Sequence, residues 1–227
     1  TEGTTVFECG VSVSSVQNGY GPAYAGGLFG YGAFRLRPNT GDSAVYTFNL
    51  TSETASAEIE AVQTSLTRKI DQSAESLNDV VAGFYSSRLP EDYFLNHLNI
   101  NIRNGSVAAR REAGSTAVGD VVAGGLAGQA FGTNGSAQQP FRDVKLNFAN
   151  CTVQALGYSF NSDYGSGNMG NNAFAGGFIG YAEGYGVPSA ADNTTTNHYG
   201  FNGIEVAFTG SFKGEPAVYC VQNAVAS

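Results

Sequence analysis

The sequence predicts a mainly β fold. The expected form is a three-repeat β-solenoid-like or stacked-sheet architecture with one long inserted α-helix, about residues 54–88. Three observations lead there. A glycine motif occurs three times, each copy follows a stretch of alternating apolar and polar residues, and the composition suits short strands and tight turns. Gly accounts for 31 of 227 residues and charged residues for only 13%, about half the usual share.

The motif reads Ala-Gly-Gly-apolar-x-Gly. Its copies are AYAGGLFGYG (Ala23 to Gly32), VVAGGLAGQAFG (Val121 to Gly132) and AFAGGFIGYAEG (Ala173 to Gly184). The motif glycines are Gly26, Gly27 and Gly30, then Gly124, Gly125 and Gly128, then Gly176, Gly177 and Gly180. Large apolar residues between glycines do not make a flexible linker. They point to a bend whose backbone packs where a side chain would clash. None of the copies is followed by Lys-Ser/Thr or a helical pattern, which argues against a phosphate-binding loop.

Before each copy lies an alternating stretch: VFECGVSV (Val6 to Val13), NIRNGSVAA (Asn101 to Ala109) and NFANCTVQA (Asn147 to Ala155). Aligning Val11, Val107 and Val153 makes Cys9, Gly105 and Cys151 equivalent. Gly125 and Gly177 are about 50 residues apart, and Gly27 and Gly125 about twice that. The simplest reading is one domain, residues 1–227, of three units at about 4–52, 95–149 and 144–213. A helical insertion, 53–90, interrupts the first interval. Ala44 to Ser52, Gly203 to Lys213 and Ala217 to Val225 are further strands.

The insertion is expected to be helical from its spacing. Ile59, Val62, Leu66, Ile70, Leu77, Val80, Val81 and Phe84 largely follow gaps of three and four. Thr54 or Ser56 could cap the start, Glu58 and Glu60 suit its first turns, and Pro90 ends it. The apolar stripe is thin and resembles a seam against a sheet or another subunit.

A short strand with Asn-Cys or Asn-Gly, then Val, a loop and Ala-Gly-Gly-Leu-x-Gly resembles the GLUG repeat, named for its glycine-leucine-x-glycine core. The matching residues are Gly27-Leu28-Phe29-Gly30, Gly125-Leu126-Ala127-Gly128 and, with Phe for Leu, Gly177-Phe178-Ile179-Gly180. The resemblance covers the repeats but not the helical segment. It implies a secreted or cell-surface protein with spacer or adhesive β-solenoid modules and no catalytic residues.

Net charge is −8, which disfavours nucleic acid and anionic membranes as partners. No apolar run approaches the roughly 18–20 residues of a membrane span, so membrane insertion is not expected. The start at Thr1 fits a removed leader, as trimming also would. Outside Glu53 to Asp92 the chain carries little charge, so covalent glycans or neighbouring subunits are expected to cover its surface. Asn49, Asn104, Asn134, Asn150 and Asn193 head Asn-x-Ser/Thr sequons. Cys9, Cys151 and Cys220 show no metal-site spacing and suggest one disulfide, Cys9 with Cys220 or Cys9 with Cys151, and one remaining thiol.

Chemistry is sparse. His97 and His198 belong to no zinc pattern. Glu53, Glu58, Glu60, Glu91 and Asp92 read as solvated or helix-end acids rather than a glycosidase pair. Asn161, Asp163 and Asp192 could bind calcium but fit no EF-hand spacing; otherwise no metal or cofactor is expected. Tyr158, Tyr164, Tyr181, Tyr185 and Tyr199 could form a sugar-binding surface or pack in a core or interface. The expected function is therefore not enzymatic. It is an extracellular structural subunit, glycosylated, that self-assembles into a filament or surface layer. The alternative is a monomeric adhesin or carbohydrate-binding module.

Overall fold

The structure, a computed structural model, describes residues 3–7, 11–17, 21–31, 46–50, 56–63, 79–89, 95–111, 119–131, 141–157, 172–183 and 201–222. The first unit supplies β1 (Gly3–Phe7), β2 (Val11–Gln17) and β3 (Ala23–Gly26). The second supplies β4 (Tyr46–Leu50), β5 (Ala57–Gln63), β6 (Val80–Gly83) and β7 (Ser86–Leu89). In the third, β8 (Leu95–Arg111) replaces two strands by one and is followed by β9 (Val121–Gly124) and β10 (Ala127–Phe131). The fourth repeats this with β11 (Phe141–Gly157), β12 (Ala173–Gly176) and β13 (Ile179–Glu183). β14 (Phe201–Thr209) and β15 (Val218–Gln222) begin a further unit.

Each unit adds its strands to the same sheets, always parallel. The largest sheet runs β1-β4-β8-β11-β14, with β2-β5-β8-β11-β15 alongside, because β8 and β11 are long enough to serve both paths. A second sheet is β3-β6-β9-β12 and a third is β7-β10-β13. The second sheet lies between the other two. β6 and β9 are therefore buried along their whole length, and they read as Val-Val-Ala-Gly, the continuous apolar run of a doubly covered parallel sheet. Inward columns run across units. Ile100 and Leu146 are in register and buried, as are Ile102 and Phe148.

The expected helix 54–88 is overturned. The described chain is mostly strand in parallel sheets, and no helix occurs among the described residues. Residues 57–63, 80–83 and 86–89 are strands; 64–78, with Leu66, Ile70 and Leu77, lie outside the described residues. The reason is visible in β5. Ala57, Ile59 and Ala61 are buried while Glu58 and Glu60 are half-exposed, a period of two. Ile59 and Val62 are three apart, which fits a helix, but Ile59 is bracketed in register by Val13 on β2 and Val107 on β8. Pairing on both edges outweighs the local spacing.

The other half of the supposed insertion is a hidden copy of the motif. Val80-Val81-Ala82-Gly83-Phe84-Tyr85-Ser86-Ser87 occupies the place that Val121-Val122-Ala123-Gly124-Gly125-Leu126-Ala127-Gly128 occupies one unit later. Main-chain bonds carry the stack through the bends: Leu28 N–H to Tyr85 O at 3.3 Å, Tyr85 N–H to Leu126 O at 2.9 Å, Leu126 N–H to Phe178 O at 2.7 Å. The long interval from Gly27 to Gly125 is thus two units, not one unit and an insertion.

The glycines do two jobs. At Gly26, Gly83, Gly124 and Gly176 a Cβ would strike the carbonyl three residues on, so the bend closes on itself. At Gly128 and Gly180 a Cβ would strike the Val81 and Val122 side chains, so the third sheet can lie close on the second. Gly30 has open space around it and is not sterically required.

Candidate functional site

The features that set this molecule apart lie at the two ends of the stack. Among the described residues, β1, β2 and β3 each pair on one side only, with β4, β5 and β6. At the far end β14 and β15 pair only with β11, β12 with β9, and β13 with β10. The apolar columns open at that end. Val206 continues the column of Ile100 and Leu146, yet it is 37% exposed where Leu146 is 0%. Ile204 and Phe208 continue the columns of Val144 and Phe148 and are half-buried, as are Phe178 and Ile179. At the opposite end Leu28 and Phe29 are only partly buried against the core, and Val16 is 62% exposed. Unpaired strand edges beside open apolar columns invite further strands.

The sides of the stack are closed by polar ladders. Asn101 Nδ2 donates to Asn49 Oδ1 at 2.6 Å, and Asn147 Nδ2 to Asn101 Oδ1 at 2.8 Å. Asn150 Nδ2 donates to Asn104 Oδ1 at 3.1 Å. Asn104 and Asn150 have φ of 58° and 51°, and Gly210, stacked next, has 70°. This left-handed corner explains why Asn and Gly recur there. Three sequon residues, Asn49, Asn104 and Asn150, therefore belong to ladders; Asn134 and Asn193 lie outside the described residues. Thr152, the third residue of the Asn150 sequon, is 1% exposed and donates to Pro216 O at 2.6 Å.

A buried charge cluster sits where the second sheet begins. Asp79 accepts from Asp120 N–H at 3.0 Å and from Gln129 Nε2 at 3.1 Å. Asp120 accepts from Asn172 N–H at 3.1 Å. Arg111, 1% exposed, donates to Gly119 O at 2.9 Å. Burial raises Asp79 above the usual carboxylate range against these hydrogen bonds. Burial likewise lowers Arg111, to about 10, although Asp79 and Asp120 oppose the shift. Sequence reasoning missed this cluster. The signal was present: Asp79-Val-Val-Ala-Gly and Asp120-Val-Val-Ala-Gly are identical pentapeptides.

Cys151 is buried and free, and its thiol is pushed up to about 12 by burial. Cys220 is exposed and free; Cys9 lies outside the described residues. The register also corrects the expected equivalence of Cys9 and Cys151. Cys151 faces Gly105, Gly105 faces Ala57, and Ala57 faces Val11.

His97 pairs with Asp143 across units, Nδ1 to Oδ2 at 3.3 Å, in a second left-handed corner with Gly203. Glu58 of β5 meets Lys213, in the turn between β14 and β15, at 3.2 Å, and Glu60 meets Arg110 across β5 and β8 at 3.1 Å, both as solvated pairs. Glu53, Glu91, Asp92, Asn161, Asp163, Asp192, His198 and the tyrosines 158, 164, 185 and 199 lie outside the described residues. Among the described residues no group of three His, Cys, Asp or Glu side chains could hold a metal. No helix there is long and apolar enough to cross a membrane. Comparison with family models, curated proteins and solved structures gave no match, so the GLUG resemblance rests on the quoted motifs alone.

Proposed function

We propose that this chain is a structural subunit that polymerises head to tail, the β1–β2–β3 end of one copy adding to the β14–β15–β12–β13 end of the next. The observation that supports it is the loss of burial along one column, from Leu146 at 0% to Val206 at 37%. Every described strand pair is parallel, so one end of the stack presents edges that match the other end in polarity. A heterologous contact of this kind does not close and yields a fibre, with main-chain hydrogen bonds formed by strand addition. A low-charge, Asn-, Ser- and Gly-rich surface suits a secreted or surface polymer carrying glycans.

Electron microscopy and sedimentation of the unreduced protein test the reading. The expected result is filaments with a regular axial repeat. Val206→Lys places a charge in the open column and should leave monomers that unfold cooperatively. Single particles of the unmodified protein at high concentration, or filaments unchanged by Val206→Lys, would refute it.

A further inference from the structure

Where the second and third sheets meet runs a strip of rings interrupted by one cation, with Tyr24 and Phe174 on β3 and β12 of the second sheet and Arg88, Phe131 and Tyr181 on β7, β10 and β13 of the third. Tyr24 and Tyr31 lie 5.7 Å apart in the first unit. Arg88 of β7 comes next, its Cζ 6.0 Å from the Tyr31 ring centre and 4.3 Å from that of Phe131. Phe131 is followed by Tyr181 at 6.3 Å, and Tyr181 by Phe174 at 5.4 Å. Tyr31 is 60% exposed; Tyr24, Arg88, Phe131, Phe174 and Tyr181 are half-buried. The guanidinium is thus held between rings from the units on either side, with Nη1 donating to Tyr24 Oη at 3.3 Å. Ser87 Oγ donates to Gly30 O and ties the Tyr31 bend to β7.

The charge pattern makes Arg88 unusual. Arg110, Arg142, Lys145 and Lys213 each face a carboxylate, from Glu60, Asp143, Glu205 and Glu58. Arg88 has no carboxylate partner among the described residues, in a chain of net charge −8. A half-buried guanidinium usually spends its planar fork of donors on a carboxylate or phosphate. Here one donor is used and the plane is framed by rings.

We infer that this strip binds a saccharide bearing a single carboxylate, such as a terminal uronic or sialic acid. Arg88 receives the carboxylate in bidentate fashion, and Tyr31 and its neighbours pack against the C–H faces of the sugar rings. A cation with no carboxylate partner among the described residues suits one negative charge, and in a chain of net charge −8 a polyanion would be repelled by the rest of the surface. The rings supply contact area for neutral sugars on either side of the acid.

The test is calorimetric titration with sialyllactose and a glucuronic-acid-terminated disaccharide, with lactose as the neutral match. Affinity is read per chain, so the result does not depend on polymer formation. Binding with a Kd of about 1 mM or tighter is expected for an acidic sugar, with lactose at least tenfold weaker. Arg88→Gln should lose tenfold or more. Tyr31→Ala, at an exposed position where folding is not at risk, should lose several-fold. The inference fails if neither acidic sugar binds, if lactose binds equally, or if both variants bind as the unmodified protein does.

Discussion

Replacing Phe84 by Gly separates two ways of reading a repeat. At the equivalent position the other units carry Gly27, Gly125 and Gly177. Consensus reasoning would treat Phe84→Gly as a repair worth about 0.5–2 kcal/mol. The packing predicts the opposite. Phe84 is 1% exposed and its ring lies 5.3 Å from that of Phe148. It fills space left by Gly105, whose Cβ, if present, would come within 3.1 Å of the ring and 2.8 Å of Ala57 O. Deleting a buried Phe side chain costs about 3–5 kcal/mol, and an added Gly in strand-like backbone roughly 0.5–1 more. A loss of about 4 kcal/mol is close to a thousandfold in the folding constant. Urea unfolding measures it, followed by circular dichroism or tyrosine fluorescence because the chain has no Trp. Gly105→Ala is a second arm. It should destabilise the unmodified protein, and by about 1 kcal/mol less in the Phe84→Gly background, where only the Ala57 carbonyl still obstructs. An unchanged or raised midpoint for Phe84→Gly would refute the idea that Phe84 and Gly105 are complementary shapes.

Three further outcomes follow from named contacts. In the unassembled Val206→Lys protein iodoacetamide should label Cys220 and spare Cys151 until denaturant is added, as peptide mass spectrometry would show; burial and a thiol pKa near 12 protect Cys151. Asn101→Ala removes the middle of a ladder and both bonds it makes, and should cost about 1–2 kcal/mol in chemical denaturation; Asn147→Ala removes one bond and should cost about half as much. Glu58 is held below the usual carboxylate range by the Ser56 hydroxyl and then by Lys213. Its contribution is therefore present above the unfolded Glu value, about 4.3, and is lost as pH falls through the lower folded value. Because the side chain is 44% exposed, the effect is about half a kcal/mol or less, and Glu58→Gln should remove that part of the acid-limb slope.

How far the sequence could be read depended on which force set each residue. The bends at Gly26, Gly124 and Gly176 were legible because collision with the chain's own backbone three residues on leaves room for no other residue. The strands β8 and β11 were legible where Val, Ile and Leu alternate with polar residues. The second unit was not, because there the motif keeps only Ala82-Gly83, and the lost glycines are replaced by Phe84 and Ser87. Phe84 is tolerated through a distant compensation at Gly105, and Ser87 is used to bond Gly30 O across units. Neither partner is near in sequence. A hydrophobic spacing of three and four then filled the gap with a helix.

The same limit applies to the ends, and it decides how the proposed assembly should be tested. Val206 and Leu146 are both ordinary apolar residues of alternating strands. What distinguishes them is that β11 has neighbours on both edges while β14, among the described residues, has one. Within a stack of parallel strands, a residue's burial depends on the count of units as much as on its own type. A second copy added at β14 would give Val206 the environment Leu146 already has. If that is the driving force, a conservative Val206→Ile should strengthen assembly and Val206→Thr weaken it, both without moving the Phe84–Gly105 packing deeper in the stack. A polymer held instead by exposed side-face contacts would respond to neither substitution, and the sedimentation of these two variants side by side would show which contact carries the chain end.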